Sequence, residues 1–253
     1  MSWISVAGGA LCAAALAYGG VAAAETLVVR SSGPSARSFP PGKAIPDSAK
    51  IVLKANDQVV VLDGRGTRTL KGPGSFSPTA SASPPAETRT TLASLVNQRS
   101  ERRARIGAVR GGVAATAPAD NGKNPNIWYV DIERNSSFCV ADPAAVTLWR
   151  ADASAATEMT LAGADGKAEK TMWLKGQSAK PWPAALPIAN GAEYRISWPG
   201  AAAPTVLKFA VLGSNPQGLE DTAAALIKNG CQAQLDLLIE TVAVPEGGKP
   251  AAG

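Results

Sequence analysis

The chain has 253 residues and a formal net charge of +5, and it contains no histidine. Without histidine there is no Ser-His-Asp triad, no Cys-His pair and no two-histidine zinc site. Catalysis by carboxylates, lysine or tyrosine stays open, and the mild positive charge suits an anionic partner without requiring one. We expect neither a cofactor nor a metal ion.

The first predicted element is a signal sequence over residues 1–24. This segment has no charged side chain and ends in Ala22-Ala23-Ala24, a small-x-small cleavage pattern, before the polar Glu25. The alternative is an uncleaved anchor, because the apolar stretch 4–24 is just long enough to cross a bilayer. We favour cleavage, since this alanine- and glycine-rich stretch is only weakly hydrophobic. The mature protein is then expected to be periplasmic and to have no membrane span.

Residues 25–110 predict a first, β-rich domain. A short strand at 26–30 precedes an antiparallel meander at 50–76, the most strongly patterned stretch of the chain. The meander has β-branched runs at 51–53, 59–62 and 67–70, which are separated by turn signals.

Four short motifs lie in this region: Val29-Arg30 at a strand end, Pro41-Gly42 ahead of Ile45-Pro46-Asp47, a strand pair around Asp63-Gly64, and Gly72-Pro73-Gly74. With these motifs, residues 27–76 resemble the periplasmic sensor module of FecR-type regulators. The resemblance implies a β-rich domain outside the inner membrane that takes part in signalling or assembly. The chain departs from that family in lacking an internal membrane span and a cytoplasmic anti-sigma segment. Its layout as a whole resembles exported proteins of alphaproteobacterial type, from which no activity carries over.

A linker rich in proline, serine and alanine at 77–86 leads into a predicted helix at 87–106. Leu92, Leu95 and Val96 form an apolar stripe that we expect to pack on the meander. Two interpretations are open for the arginines near it: a solvated helix face, which we favour, or contact with an anionic envelope surface or acidic partner. Nucleic-acid binding is not expected, because no aromatic residues are interleaved. This basic cluster consists of Arg99, Arg102, Arg103, Arg105 and Arg110.

A glycine- and alanine-rich linker at 111–125 precedes a second domain at 126–244. About seven short strands with regular turn signals predict an immunoglobulin-like antiparallel β-sandwich. Gly191-Ala192-Glu193-Tyr194 resembles the corner before strand F of such folds, where a tyrosine hydroxyl bonds back to the backbone. Two amphipathic segments, one ending at Asn229-Gly230 and one at 235–242, predict a helical hairpin that docks on the sandwich. Residues 245–253 are expected to be a disordered tail. The predicted fold class is therefore mainly β.

Two cysteines remain after signal cleavage, Cys139 and Cys231. In an exported chain they predict one disulfide, with two buried free thiols as the alternative. The bond would join the C-terminal helices to the sandwich. Its loss is expected to loosen residues 232–242 first and to leave the 50–76 meander intact.

Three hypotheses for function follow. The favoured one is a non-catalytic protein-interaction or sensing module in an envelope or signalling assembly. The second is binding of an envelope polysaccharide or peptidoglycan through an exposed aromatic, with Trp182 between Pro181 and Pro183 as the candidate. The third is a carboxylate hydrolase, because Asp131 and Glu133 alternate along a predicted strand and would share a face.

We predict that the mature chain begins at Glu25, because cleavage after an Ala-x-Ala end leaves that residue as the new N-terminus. Intact-mass measurement of periplasmic protein checks this. A mass that still includes residues 1–24 would mean that the segment is an anchor.

Overall fold

The computed structural model describes residues 25–78 and 123–243. Fourteen β-strands and two α-helices make this part of the chain mainly β, as the sequence predicts. The predicted signal sequence, the helix at 87–106, the basic cluster and the 245–253 tail lie outside the described residues, as does most of the 111–125 linker. None of the described helices is long and apolar enough to cross a membrane.

The N-terminal strands form a four-stranded sheet and a separate two-stranded ribbon. The sheet has the order β2-β1-β4-β5, and the ribbon pairs β3 with β6. The six strands are β1 (Glu25–Ser32), β2 (Ala44–Pro46), β3 (Ile51–Leu53), β4 (Gln58–Asp63), β5 (Gly66–Lys71) and β6 (Gly74–Phe76).

The pairing of β3 differs from the predicted meander. The β4–β5 hairpin forms as expected, with Asp63 opposite Gly66. However, β3 pairs with β6, and β4 has β1 as its second neighbour. With eight residues, β1 pairs along β4 from Leu62 to Gln58, a length that the three-residue β3 cannot match.

Both faces of β4 are buried, which explains its unbroken apolar run. Because side chains alternate along a strand, Val59 and Val61 pack on the ribbon side, in a cluster with Ile51. Val60 and Leu62 point the other way, into a second apolar cluster. A run that is apolar at every position is typical of a strand covered on both sides.

A buried aspartate holds the turn between β3 and β4. The Asp57 carboxylate accepts hydrogen bonds from the backbone N–H groups of Ser35, at 2.8 Å, and Lys54, at 2.5 Å. Burial opposes ionisation, but the hydrogen bonds from Ser35 and Lys54 outweigh it and hold the pKa of Asp57 below its ordinary value. The carboxylate therefore ties the loop after β1 to this turn.

The second half of the described chain is a β-sandwich of a five-stranded and a three-stranded sheet, with orders β11-β10-β13-β14-β8 and β12-β9-β7. The prediction of a wholly antiparallel sandwich is corrected at two pairs, β8–β14 and β7–β9, which are parallel. The strands are β7 (Tyr129–Asp131), β8 (Ser136–Val140), β9 (Thr147–Trp149), β10 (Thr157–Gly163), β11 (Ala168–Trp173), β12 (Ala179–Pro181), β13 (Glu193–Ser197) and β14 (Thr205–Val211).

The predicted tyrosine corner forms at the start of β13. The Tyr194 hydroxyl donates a hydrogen bond to the backbone carbonyl of Pro187 at 2.6 Å. Its ring packs edge-on against Phe209, with 5.5 Å between centroids. The corner thus joins a loop to the aromatic part of the sandwich core, as in immunoglobulin-like folds.

The predicted C-terminal hairpin is confirmed as α1 (Gly218–Lys228) and α2 (Gln232–Thr241). Gly230 separates the helices with φ +68°, a left-handed conformation that glycine adopts without steric cost. The N–H of Cys231 then bonds to the carbonyl of Leu226 at 2.9 Å, which closes the end of α1.

The hairpin packs on both halves of the described chain, and not on the sandwich alone. Thr67 of β5 makes two bonds to the end of α2: its N–H donates to Val242 O at 3.0 Å and its hydroxyl to Ile239 O at 2.9 Å. Arg30 of β1 forms an ion pair with Asp236. One apolar cluster contains residues of β1 and β4, of the sandwich and of both helices, among them Leu27, Val29, Val60, Leu62, Ile127, Cys139, Leu212, Leu226, Leu235 and Leu238.

Two contacts attach α2 to β8, the parallel edge strand of the five-stranded sheet. The predicted disulfide joins Cys139 to Cys231, whose Cα atoms are 5.8 Å apart. Three residues further on, the buried Gln234 accepts from the Cys139 N–H at 2.6 Å and donates to the carbonyls of Cys139, at 3.1 Å, and Ile127, at 2.9 Å. The Gln234 side chain therefore satisfies the strand edge as a neighbouring strand would.

The shared apolar cluster changes the expected consequence of losing the disulfide. Cys231→Ser, or reduction of the wild type, should lower the free energy of unfolding by about 2–4 kcal/mol. Hydrogen exchange should rise in α2 and also in β1 and β4, because the hairpin covers their inner face. The β3–β6 ribbon should keep its protection. Exchange that rises in α2 alone would contradict a shared core, and a free-thiol count before reduction serves as the control.

Gln234→Ala should destabilise the protein by about 1–3 kcal/mol, because it leaves one buried N–H and two buried carbonyls without their partner. Gln232→Ala is the matched control, since this exposed glutamine lies on the same helix and its side chain bonds to Asp236, a residue of α2 itself. We expect the control to stay within about 0.5 kcal/mol of the wild type. Urea unfolding measures both, and equal effects would refute the edge-satisfying role of Gln234.

Candidate functional site

Trp182, expected to be exposed, is partly buried in the aromatic core. Its ring lies edge-on to Tyr194 and Phe209, with centroid distances of 4.9 Å and 5.1 Å. Its indole N–H donates to the carbonyl of Leu186. Trp182 is therefore partly buried, as Trp198 also is, and its ring packs into the aromatic cluster instead of standing free between the two prolines.

The carboxylates of Asp131 and Glu133 do not share a strand face. β7 ends at Asp131, and Glu133 lies in the turn that follows, where its N–H donates to Asp131 Oδ1 at 3.0 Å. Asp131 also pairs with Arg134 at 3.7 Å. The predicted pair is wrong because the alternation of a strand stops before Glu133. Of the two carboxylates, Glu133 faces a cleft and Asp131 does not.

That cleft has a volume of about 480 Å³ and lies at one end of the sandwich. It is formed by the β7–β8, β9–β10 and β13–β14 connections. Loops held at one end of a rigid sandwich are a common place for binding sites. The lining residues are Glu133, Arg150, Asp152, Ala155, Thr157, Trp198, Ala201, Ala203 and Thr205.

Arg150 lies at the inner side of the cleft and is only 3% exposed. Its Nε donates to Gln177 O at 2.9 Å, and its Nη2 donates to the carbonyls of Ala155, at 3.0 Å, and Leu174, at 2.8 Å. The guanidinium carbon lies 5.1 Å from the centroid of the buried Trp173 ring, within cation–π range. These contacts hold the planar group in one orientation.

The charge of Arg150 is balanced at a distance and not by a direct ion pair among the described residues. Burial lowers the pKa of Arg150 from its ordinary value, and the negative charges of Asp152 and Glu133 oppose this. A guanidinium stays protonated under these conditions. The cleft therefore combines a fixed cation with two carboxylates.

Asp152 is held as an ionised acceptor. Its Oδ1 accepts the Ser154 N–H at 2.8 Å. The hydrogen bonds from Ser154 lower the pKa of Asp152, and the Arg150 charge lowers it further, while desolvation acts in the opposite direction. Glu133 is attached more loosely, through a 3.4 Å contact between its Oε1 and the Asp152 N–H. With its lowered pKa, Asp152 is ionised near neutral pH and acts as a hydrogen-bond acceptor.

Trp198 supplies the aromatic surface of the cleft. It is partly exposed at the end of β13, and its ring lies 6.5 Å from that of the buried Trp173. Three alanines and two threonines make up the remaining wall, so no bulky side chain fills the space. Within the described residues, no group of three or more acidic or cysteine side chains could hold a metal ion.

Sequence reasoning missed this cleft, although each of its parts carries a local signal. Arg150 ends a predicted strand, Asp152 opens a turn, and Pro199-Gly200 marks the loop after Trp198. These signals lie almost fifty positions apart along the chain, and only the pairing of β10 with β13 brings them together.

Comparisons with protein-family models, with curated proteins and with solved structures found no match to this chain. What the protein binds is therefore inferred from the chemistry of the cleft.

Proposed function

We propose that the chain is an exported, non-catalytic binding module of the cell envelope and that it holds its partner at the loop end of the sandwich. The observation that carries this is Arg150. A buried cation fixed by three backbone carbonyls at the wall of an open cleft is costly to maintain. Its orientation suits recognition of a polar group, because a pre-oriented donor loses little freedom on binding.

Export is supported by the Cys139–Cys231 bond, since structural disulfides persist in oxidising compartments. It also agrees with the signal pattern that ends at Ala24. We propose a periplasmic location with cleavage after that residue.

A place in signalling or assembly is proposed from the FecR-like pattern of residues 27–76. The hairpin of α1 and α2 packs on this region and on the sandwich together. A partner bound at the sandwich would therefore meet a protein whose two β-rich parts share one apolar cluster. The basic cluster stays a second proposed contact with an anionic envelope surface.

The second candidate function is binding of an envelope polysaccharide. The aromatic residue that we propose for it is now Trp198, which lines the cleft, in place of Trp182. An aromatic ring beside carboxylates provides both an apolar face and hydrogen-bond acceptors. Because a protein partner and a polysaccharide would both be components of the envelope, binding to envelope fractions tests either candidate.

The test is co-sedimentation of the mature protein with washed envelope fractions, with and without cross-linking. Wild type should be retained, and Trp198→Ala and Asp152→Asn should each reduce retention severalfold. Asp165→Asn is the matched control, because Asp165 is also exposed and its Oδ1 accepts a backbone N–H two residues on, at 3.1 Å from Lys167. Equal retention of all four proteins, or none by wild type, would refute binding through the cleft.

A further inference from the structure

The strongest unassigned feature of the cleft is one nitrogen of Arg150. Nε and Nη2 donate to three carbonyls, whereas Nη1 has no hydrogen-bond partner among the described residues. The side chain is buried, and the residue lines the cleft. Nη1 is therefore a directed donor that a ligand can use, and its natural counterpart is a carbonyl or carboxylate oxygen.

Arg150 requires an acceptor on the ligand, whereas the two carboxylates of the cleft require hydrogen-bond donors. Asp152 Oδ1 accepts the Ser154 N–H, the Ser154 side chain also bonds to this carboxylate, and Asp152 is exposed at the cleft. Glu133 lies beside it and is exposed. Both groups accept hydrogen bonds from hydroxyl or amide N–H groups, so a ligand must bring donors to this side of the cleft.

The net charge of the cleft favours neutral ligands over acidic ones. Two carboxylates face one guanidinium, so the three groups together carry a net negative charge. Their charges act on Arg150 from within the same cleft. An anionic ligand would be attracted by Arg150 but repelled by both Asp152 and Glu133, at distances so short that salt screens these interactions weakly. A neutral carbonyl avoids this cost and can still accept the Nη1 hydrogen bond.

Shape adds the third requirement. Trp198 offers a ring at the edge of the space, and Ala155, Ala201 and Ala203 leave room beside it. The volume of about 480 Å³ is within the range of small-ligand sites, about 300–1,000 Å³. A flat ligand with an apolar face and polar edges fits this surface best.

We propose that the cleft binds an N-acetylated amino-sugar unit of an envelope glycan, an inference that rests on the proposed function. The acetamido carbonyl accepts from Arg150 Nη1, the sugar hydroxyls donate to Asp152 and Glu133, and the C–H face of the ring packs on Trp198. The small side chains accommodate the acetyl methyl group. No bond is made or broken.

The test uses three soluble probes: the β-1,4-linked trimers of N-acetylglucosamine and of glucose, and a trimer of galacturonic acid. The first two differ in the group at C2, where an acetamido replaces a hydroxyl, so their comparison tests the Arg150 contact without altering a buried residue. Calorimetric titration of the mature protein should show at least about tenfold tighter binding of the acetylated trimer, which corresponds to about 1.4 kcal/mol.

The variants then assign the contacts. Asp152→Asn keeps an oxygen for the Ser154 N–H but replaces the second acceptor oxygen with a donor and removes the charge, and it should weaken binding of the acetylated trimer about tenfold. Trp198→Ala should weaken it by a similar factor. Asp165→Asn should bind as wild type does, and thermal unfolding confirms that each variant is folded.

Equal affinity for the first two trimers would overturn the assignment of the acetamido group. Tighter binding of the acidic trimer would show that Arg150 recognises a carboxylate, which also overturns the proposal. If no trimer binds while envelope retention still depends on Trp198 and Asp152, the sugar inference fails and the proposed function stands. If no trimer binds and Trp198→Ala and Asp152→Asn are retained by the envelope as well as wild type is, both the sugar inference and the proposed function fail.

Discussion

The attachment of α2 to β8 is the contact on which the rest of the structure depends. The disulfide at Cys231, the residue just before α2, and the hydrogen bonds of Gln234 in its first turn hold this helix against a sheet edge. Two short helices have little stability of their own, so this attachment sets where they lie. Once placed there, their apolar faces cover β1 and β4 as well as the outer side of β8. The hairpin thereby forms one apolar cluster with residues of both β-rich regions.

The N-terminal sheet shows why such a cover is needed. Val60 and Leu62 are as apolar as Val59 and Val61, yet the β3–β6 ribbon can bury only one side of the strand. A sheet with two apolar faces exposes a large hydrophobic surface unless a second layer packs on it. The hairpin supplies that layer from the far end of the chain, and Thr67 and Arg30 fix its position through polar contacts to α2.

The cleft depends on the sandwich in a different way. Its binding groups come from loops, but Arg150 is oriented by carbonyls of the β9–β10 loop and of the segment after β11, and by the Trp173 ring in the core. The cation is thus part of the packed interior, and its Nη1 has no hydrogen-bond partner among the described residues. Asp152 and Glu133 offset its charge without occupying that nitrogen, so the site keeps a directed donor and a set of acceptors side by side.

Local pattern was sufficient for several features, each of which depends on neighbouring residues. These are the mainly β composition, the β4–β5 hairpin, the helical hairpin with its glycine break, and the tyrosine corner at Tyr194. The disulfide also followed, because two cysteines remain once the predicted signal sequence is set aside, and they allow one pairing. The predicted Asp131–Glu133 pair failed for an equally local reason, since one residue decides where β7 ends.

The sequence by itself therefore determined the fold class, most of the strands and helices, and the cysteine pair. Only the tertiary structure decided that β4 pairs with β1, that the helices pack on both β-rich regions, and that Trp182 packs on Tyr194 and Phe209 while Trp198 lines the cleft. The physical reason is that strand propensity and periodicity act over a few residues. The choice among strand partners, and hence which loops meet, depends on apolar surface that distant segments compete to bury.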